Sequence, residues 1–174
     1  DLNTPLFSDG ALKQRFVYVP AGKAATYDDT EAFDFPVGSA LIKTFSFPAD
    51  FREPDKDVRI IETRVMLRQE NGWQAWAYLW DEAQSEAELK IVGAKVDIAT
   101  VAVDGQPLAF TYSVPNRNQC KGCHDLAGEI AGAQFGQFCW AREVRRGVGV
   151  PHHHVGAGVG EFTDAVATGV SDPE

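Results

Sequence analysis

Val58-Arg59-Ile60-Ile61-Glu62-Thr63-Arg64-Val65-Met66-Leu67-Arg68-Gln69, then Glu70-Asn71-Gly72, then Trp73-Gln74-Ala75-Trp76-Ala77-Tyr78-Leu79-Trp80, is the stretch whose reading decides the fold. Two runs rich in β-branched and aromatic residues flank an Asn-Gly dipeptide. Both turn residues tolerate positive φ, so the segment predicts a β-hairpin. In the second run Trp73, Ala75, Ala77 and Leu79 share one side, and Trp76, Tyr78 and Trp80 the other. Both sides are apolar, which predicts a strand central to a sandwich or covered by another layer.

Working outward, Lys13 to Val19 alternates with period two, Phe16 and Tyr18 against Arg15 and Val17, and reads as a strand. Pro20-Ala21-Gly22 ends it, and a short apolar run, Phe33 to Phe35, leads into the turn Pro36-Val37-Gly38. Ser39 to Phe47 is β-branched and aromatic, a further strand. Pro48 to Lys56, with two prolines and several charges, reads as an exposed loop. After the hairpin come a polar turn at Asp81 to Ser85, strand candidates at Ala87 to Val92 and Lys95 to Val103, a turn at Asp104-Gly105, and a strand at Gln106 to Val114. Turns at such regular spacing predict seven or eight short strands, with no internal repeat. Residues 1–114 are therefore expected to be mainly antiparallel β, a sandwich or an open barrel.

Pro115-Asn116-Arg117-Asn118-Gln119 breaks the β pattern and delivers Cys120-Lys121-Gly122-Cys123-His124. This spacing is the attachment signature of c-type haem. Two thiolates three positions apart add to the two vinyl groups of one haem, and the adjoining His binds the iron and helps set its potential. A short helical attachment segment is expected over 115–130, Asp125 to Ile130 having helical composition. Arg117 and Lys121 flank the cysteines as partners for haem propionates. Two other readings stay open. A zinc site would need two more ligands, from Cys139 and one of His152, His153 or His154. A redox dithiol would sit beside a βαβ pattern, which is missing. For the sixth iron position the sequence offers His152, His153 and His154 on a returning loop, or Met66, the one methionine, which reads first as a sheet-face residue. An open or water-bound iron is the remaining expectation.

The 174 residues, 44% apolar with four Trp, suit one domain with a short appendage. A net charge of −9 argues against a nucleic-acid partner; an acidic face instead steers a basic protein. No run of about 18 apolar residues is present, so no transmembrane segment is expected. The sequence starts at Asp1 without Met or an apolar leader, as a mature or excised segment would. Haem is attached to this motif outside the bacterial cytoplasm, which points to the periplasm. Trp73, Trp76, Trp80 and Phe110 are expected in the core rather than on an electron path, and Asp81 and Glu82 on a solvated turn. No phosphate loop, Ser-His-Asp order or catalytic carboxylate pair is apparent, which favours electron transfer over catalysis. Residues 131–174 hold 8 of the 16 Gly and no Leu, Ile or Lys. They are expected to form an irregular Gly-rich tail, disordered in its last third or aberrant.

The chain resembles a family of uncharacterised bacterial c-type haem proteins in which a β-rich domain precedes a single CxxCH. The resemblance is carried by Leu2 to Asp9, Lys13 to Val17, Phe35 to Gly38, Leu41 to Phe45, Ile61 to Arg64, Tyr78 to Glu82 and Val114 to His124, over about residues 1–130. It implies one covalent haem c held by Cys120, Cys123 and His124, export to the periplasm and electron transfer. Related domains are appended to secreted dehydrogenases, so the resemblance implies a redox partner protein of that kind. The family continues into a helical haem-covering segment, which residues 131–174 do not resemble; a truncated or frame-shifted reading would account for their missing Leu and Ile. The leading expectation is a periplasmic monohaem c-type cytochrome. The alternatives are a haem enzyme or gas sensor with an open iron position, and a zinc-stabilised β binding module.

Overall fold

Among the described residues, alternating apolar residues bounded by Gly, Pro and Asx turns build seven strands, followed by one helix. They are β1 (Leu12–Tyr18), β2 (Ala40–Pro48), β3 (Val58–Gln69), β4 (Gly72–Trp80), β5 (Ala87–Leu89), β6 (Ala94–Val101), β7 (Pro107–Val114) and α1 (Arg117–His124). The computed structural model describes residues 7–27 and 33–124, with 121–124 described by backbone alone. Strands β1 to β5 form an antiparallel meander in sequence order, and β6 and β7 form a separate two-stranded antiparallel sheet. The described chain is mainly β, and neither sheet closes into a barrel.

The two sheets share one core. Phe45, Phe47, Ile61 and Ala77 of the larger sheet cluster with Ile98, Tyr112 and Val114 of the smaller. A register shift between Phe45 and Ser46 leaves Ile61 as an extra residue on β3. Such a bulge bends the strand and re-aims its side chains, and here Ile61 reaches 1% exposure in the shared core.

Local expectations shift where long-range packing intervenes. Gln69 pairs with Gly72, so the hairpin loop is Glu70-Asn71, and Gly72 alone takes the positive φ, +113°, that glycine accepts without a Cβ clash. The 48–56 segment is not a free loop. The Phe51 N–H donates to Val101 O at 2.9 Å, and the Phe51 ring packs edge-on against Phe47. An apolar ring within reach of the core outweighs the surrounding charges. Strand β5 ends at Leu89, short of Val92, because Gly93 turns the chain at φ +79°. Strand β4 lies inside the sheet between β3 and β5, but β5 pairs only with Tyr78 to Trp80, so the rest of its outer edge is left to α1 and most of its residues are half-buried.

Strand register aligns three rows on the face that β6 and β7 partly cover. The first is Lys13, Phe45, Glu62 and Leu79; the second is Arg15, Lys43, Arg64 and Ala77; the third is Val17, Leu41, Met66 and Ala75. The second and third rows run toward α1.

Candidate functional site

Helix α1 starts where the sequence supplies partners for most of its first N–H groups. The Gln119 N–H donates to Asn116 Oδ1 at 2.8 Å, and the Asn116 N–H donates to Gln119 Oε1 at 2.9 Å. This reciprocal capping box satisfies two donors that a helix start otherwise leaves open. The Cys120 N–H then donates to Asn116 O at 3.1 Å, the first intrahelical bond. The helix is tied to the β domain by the Arg117 N–H, which donates to Ile91 O at 3.1 Å, and by the Arg117 guanidinium on Gln74 Oε1. Gly93 permits this approach: a Cβ there would lie 2.6 Å from Val114 O and 3.0 Å from Asn116 N.

Between α1 and the edge of β4 lies a groove lined by Ala75, Trp76, Ala77, Leu89, Lys90, Ile91, Arg117 and Cys120. It encloses about 30 Å³, room for roughly one or two waters, so it seats one edge of a larger ligand and not a whole macrocycle. Beside it Ile91 is 60% exposed and Val92 85%, an apolar shelf next to the cysteine. Helical spacing places positions 120, 123 and 124 on one face of α1. The site thus brings together Cys120 and Arg117 from the expected set. Lys121, Cys123 and His124 are carried on the helix backbone, and their side chains lie outside the described residues, as do Asp125 to Ile130, Cys139, His152, His153, His154 and the whole of 131–174. Among the described residues no three His, Cys, Asp or Glu side chains group as a metal site, and no helix is long and apolar enough to cross a membrane.

Cys120, half-buried on the capped helix, lines the groove with small and branched apolar side chains, the surroundings that a thioether-linked haem edge would need, and the Arg117 guanidinium at the rim is held by Gln74. Met66 is half-buried on the same face as Ala75, directly opposite it in the register and one strand from the groove.

Next to the groove is a charged cluster that the linear sequence does not advertise. Glu62 is 0% exposed and accepts from Arg64 Nη2 at 2.5 Å, Arg64 Nε at 3.0 Å (on its other oxygen) and Tyr112 OH at 2.6 Å. Burial alone would lower the Arg64 pKa, but hydrogen bonding and charge from Glu62 outweigh it and raise it. Burial, then the Glu62 charge, pushes the Tyr112 phenol up. Lys43 has the opposite fate. Burial, then the charges of Arg15, Arg64 and Lys13, push its amine down to about 8, with only Glu62 opposing. Sequence reading missed Lys43, Arg64, Leu89, Ile91 and Lys90 as site neighbours. Their alternation was visible, but not which rows meet the helix.

No protein-family model matches the chain, and no curated protein or solved structure matches it either.

Proposed function

We propose that the chain is an exported monohaem c-type cytochrome that passes single electrons. Cys120 and Cys123 hold one haem c through thioether bonds, and His124 supplies the proximal imidazole. The observation that carries this reading is Cys120 lining an apolar groove at the start of a capped helix whose spacing suits all three residues. The resemblance to β-rich CxxCH proteins, which includes the Val114 to His124 stretch itself, points the same way. When bound, the group supplies the one-electron iron couple. The chain's own residues would do the rest: the capping box holds the helix that carries Cys120, Ala75, Ala77, Leu89 and Ile91 offer an apolar edge, and Arg117 offers a cation at the rim. The net charge of −9 suits a basic face on a redox partner, such as a secreted dehydrogenase, with an encounter rate that falls as salt rises.

The test is a pyridine haemochrome assay on protein made with a c-type maturation system. The expected result is one haem per chain that survives acid-acetone extraction, and none in the Cys120→Ala/Cys123→Ala variant. Failure of the wild-type chain to retain covalent haem overturns the proposal. Met66, in the apolar row beside the groove, is the sixth-ligand candidate among the described residues. A high-spin ferrous spectrum that shifts with carbon monoxide would point instead to an open iron position and to a haem enzyme or gas sensor.

A further inference from the structure

Two arginines bracket a lysine on three adjacent strands. Arg15 on β1 opposes Lys43 on β2, which opposes Arg64 on β3, so the three side chains leave the same face of the sheet. The Phe45 ring gathers two of the charges: the Lys43 Nζ lies 5.0 Å from its centroid and the Arg64 Cζ 4.2 Å. Arg64 is also folded onto Glu62, which accepts in addition from the Tyr112 hydroxyl. Arg15 is left short of a partner. Its Nη2 atom is buried and makes no hydrogen bond among the described residues, and burial lowers its pKa. Lys43 is pressed in the same way, by burial first and then by the charges of Arg15, Arg64 and Lys13, which hold its amine at about 8.

We propose that Lys43 is a modification site at which carbon dioxide forms a carbamate, with the Arg15 guanidinium as the partner of the new anion. The nitrogen lone pair of the neutral amine attacks the carbon of carbon dioxide. One N–C bond forms, a C=O electron pair moves onto oxygen, and the nitrogen gives up one proton to water. Nothing is oxidised or reduced, and no further reagent is needed.

The surroundings select this electrophile. An acyl donor would leave a neutral amide, whereas carbon dioxide puts an anion where a cation stood. Lys13, Arg15 and Arg64 then face two anions, the carbamate and Glu62, in place of one. A carbamate is planar and forked like a carboxylate, the shape that a guanidinium donates to best. An ordinary lysine, with a pKa of about 10.4, is almost wholly protonated at neutral pH; an amine at about 8 keeps its nucleophilic form in quantity there. Lys43 is half-buried and not enclosed, so a three-atom reagent reaches it from solvent. The site stands apart from the haem reading and uses none of its residues.

The test exposes the full chain to 13C-labelled bicarbonate and carbon dioxide, traps carbamates as esters with triethyloxonium, and maps them by peptide mass spectrometry. Lys43 is expected to carry at least ten times the modification of the exposed Lys23 and Lys56 in the same digest. The carbamate carbon resonance assigned to it should be missing from Lys43→Arg. At a fixed level of dissolved carbon dioxide that resonance should grow with pH. The groups facing Lys43 (Lys13 and Arg15 on β1, Glu62 and Arg64 on β3, with Tyr112 of β7 on Glu62) are common to all samples except where substituted. Arg15→Gln should lower occupancy at least threefold, expressed per neutral amine from the pH dependence of the same signal, so that a change in the amine's own ionisation is not counted. Lys43 modified no more than Lys23 and Lys56 overturns the proposal, and the wild-type digest decides this even where a variant fails to fold. Occupancy per neutral amine that Arg15→Gln leaves unchanged overturns it as well.

Discussion

Lys43 carries the clearest cost in the molecule at the scale of a single residue. Its amine sits at about 8 in the fold against 10.5 unperturbed, through burial and the neighbouring Arg15, Arg64 and Lys13 charges. The unfolded chain therefore binds more protons between these two values, and stability rises with pH across that window. Below about pH 8 the penalty for holding a protonated Lys43 is fully present, on the order of 2 kcal/mol once solvent screening of a partly exposed amine is allowed for. Lys43→Met is accordingly expected to be more stable than wild type at pH 7, with the gap closing as pH approaches 10.5. Urea titrations at several pH values measure it; parallel curves would show that the amine is not perturbed. Its neighbour Glu62 is the converse case. A fully buried carboxylate survives because a guanidinium and a phenol satisfy both oxygens, and removing one partner of such a pair costs far more than the pair contributes.

Among the described elements, α1 is held to the β domain by few contacts. Eight residues are too few for a helix to persist unaided, and its placement depends on the capping box, the Arg117 anchors and the backbone approach that Gly93 allows. Asn116→Ala removes the acceptor for the Gln119 amide and should cost about 1 kcal/mol. The expected signature is faster hydrogen exchange at the Gln119 and Cys120 amides while β3 and β4 amides keep their protection. Uniform acceleration across β3 and β4 as well would mean that the cap acts on the whole domain.

Two sheets of unequal size depend on one another across the whole molecule. Two strands alone are marginal in water, so β6 and β7 persist through the apolar side chains that they share with the meander. Phe47, 2% exposed, is the hub, its ring 5.4 Å from both Phe110 and Tyr112 and 6.5 Å from Phe51. Phe47→Ala is expected to destabilise by about 3–5 kcal/mol, with Trp fluorescence from β4 and far-ultraviolet circular dichroism falling together in one transition. Separate transitions would show that the small sheet unfolds independently. The same packing sets the charge pattern, since a chain of −9 concentrates four cations on one partly covered face.

Strand positions, turns and the end of the β pattern were legible in the sequence because each is written locally. Period-two alternation marks β1 to β4, Asx and Gly residues mark the turns, and the Pro115 to Gln119 stretch marks the break in the β pattern, while the Asn116–Gln119 cap showed only in the structure. The CxxCH spacing is likewise local, and with it the expectation of haem attachment. What only the tertiary structure decided depends on register between strands far apart in the chain. The bulge at Ile61, the docking of Phe51, the shortening of β5 and the alignment of Arg15, Lys43 and Arg64 each require knowing which residues stand opposite one another. Alternation says only that a side chain shares a face with its second neighbour. Core packing then selects the register, because a one-residue slip would turn Phe45 and Tyr112 out to water.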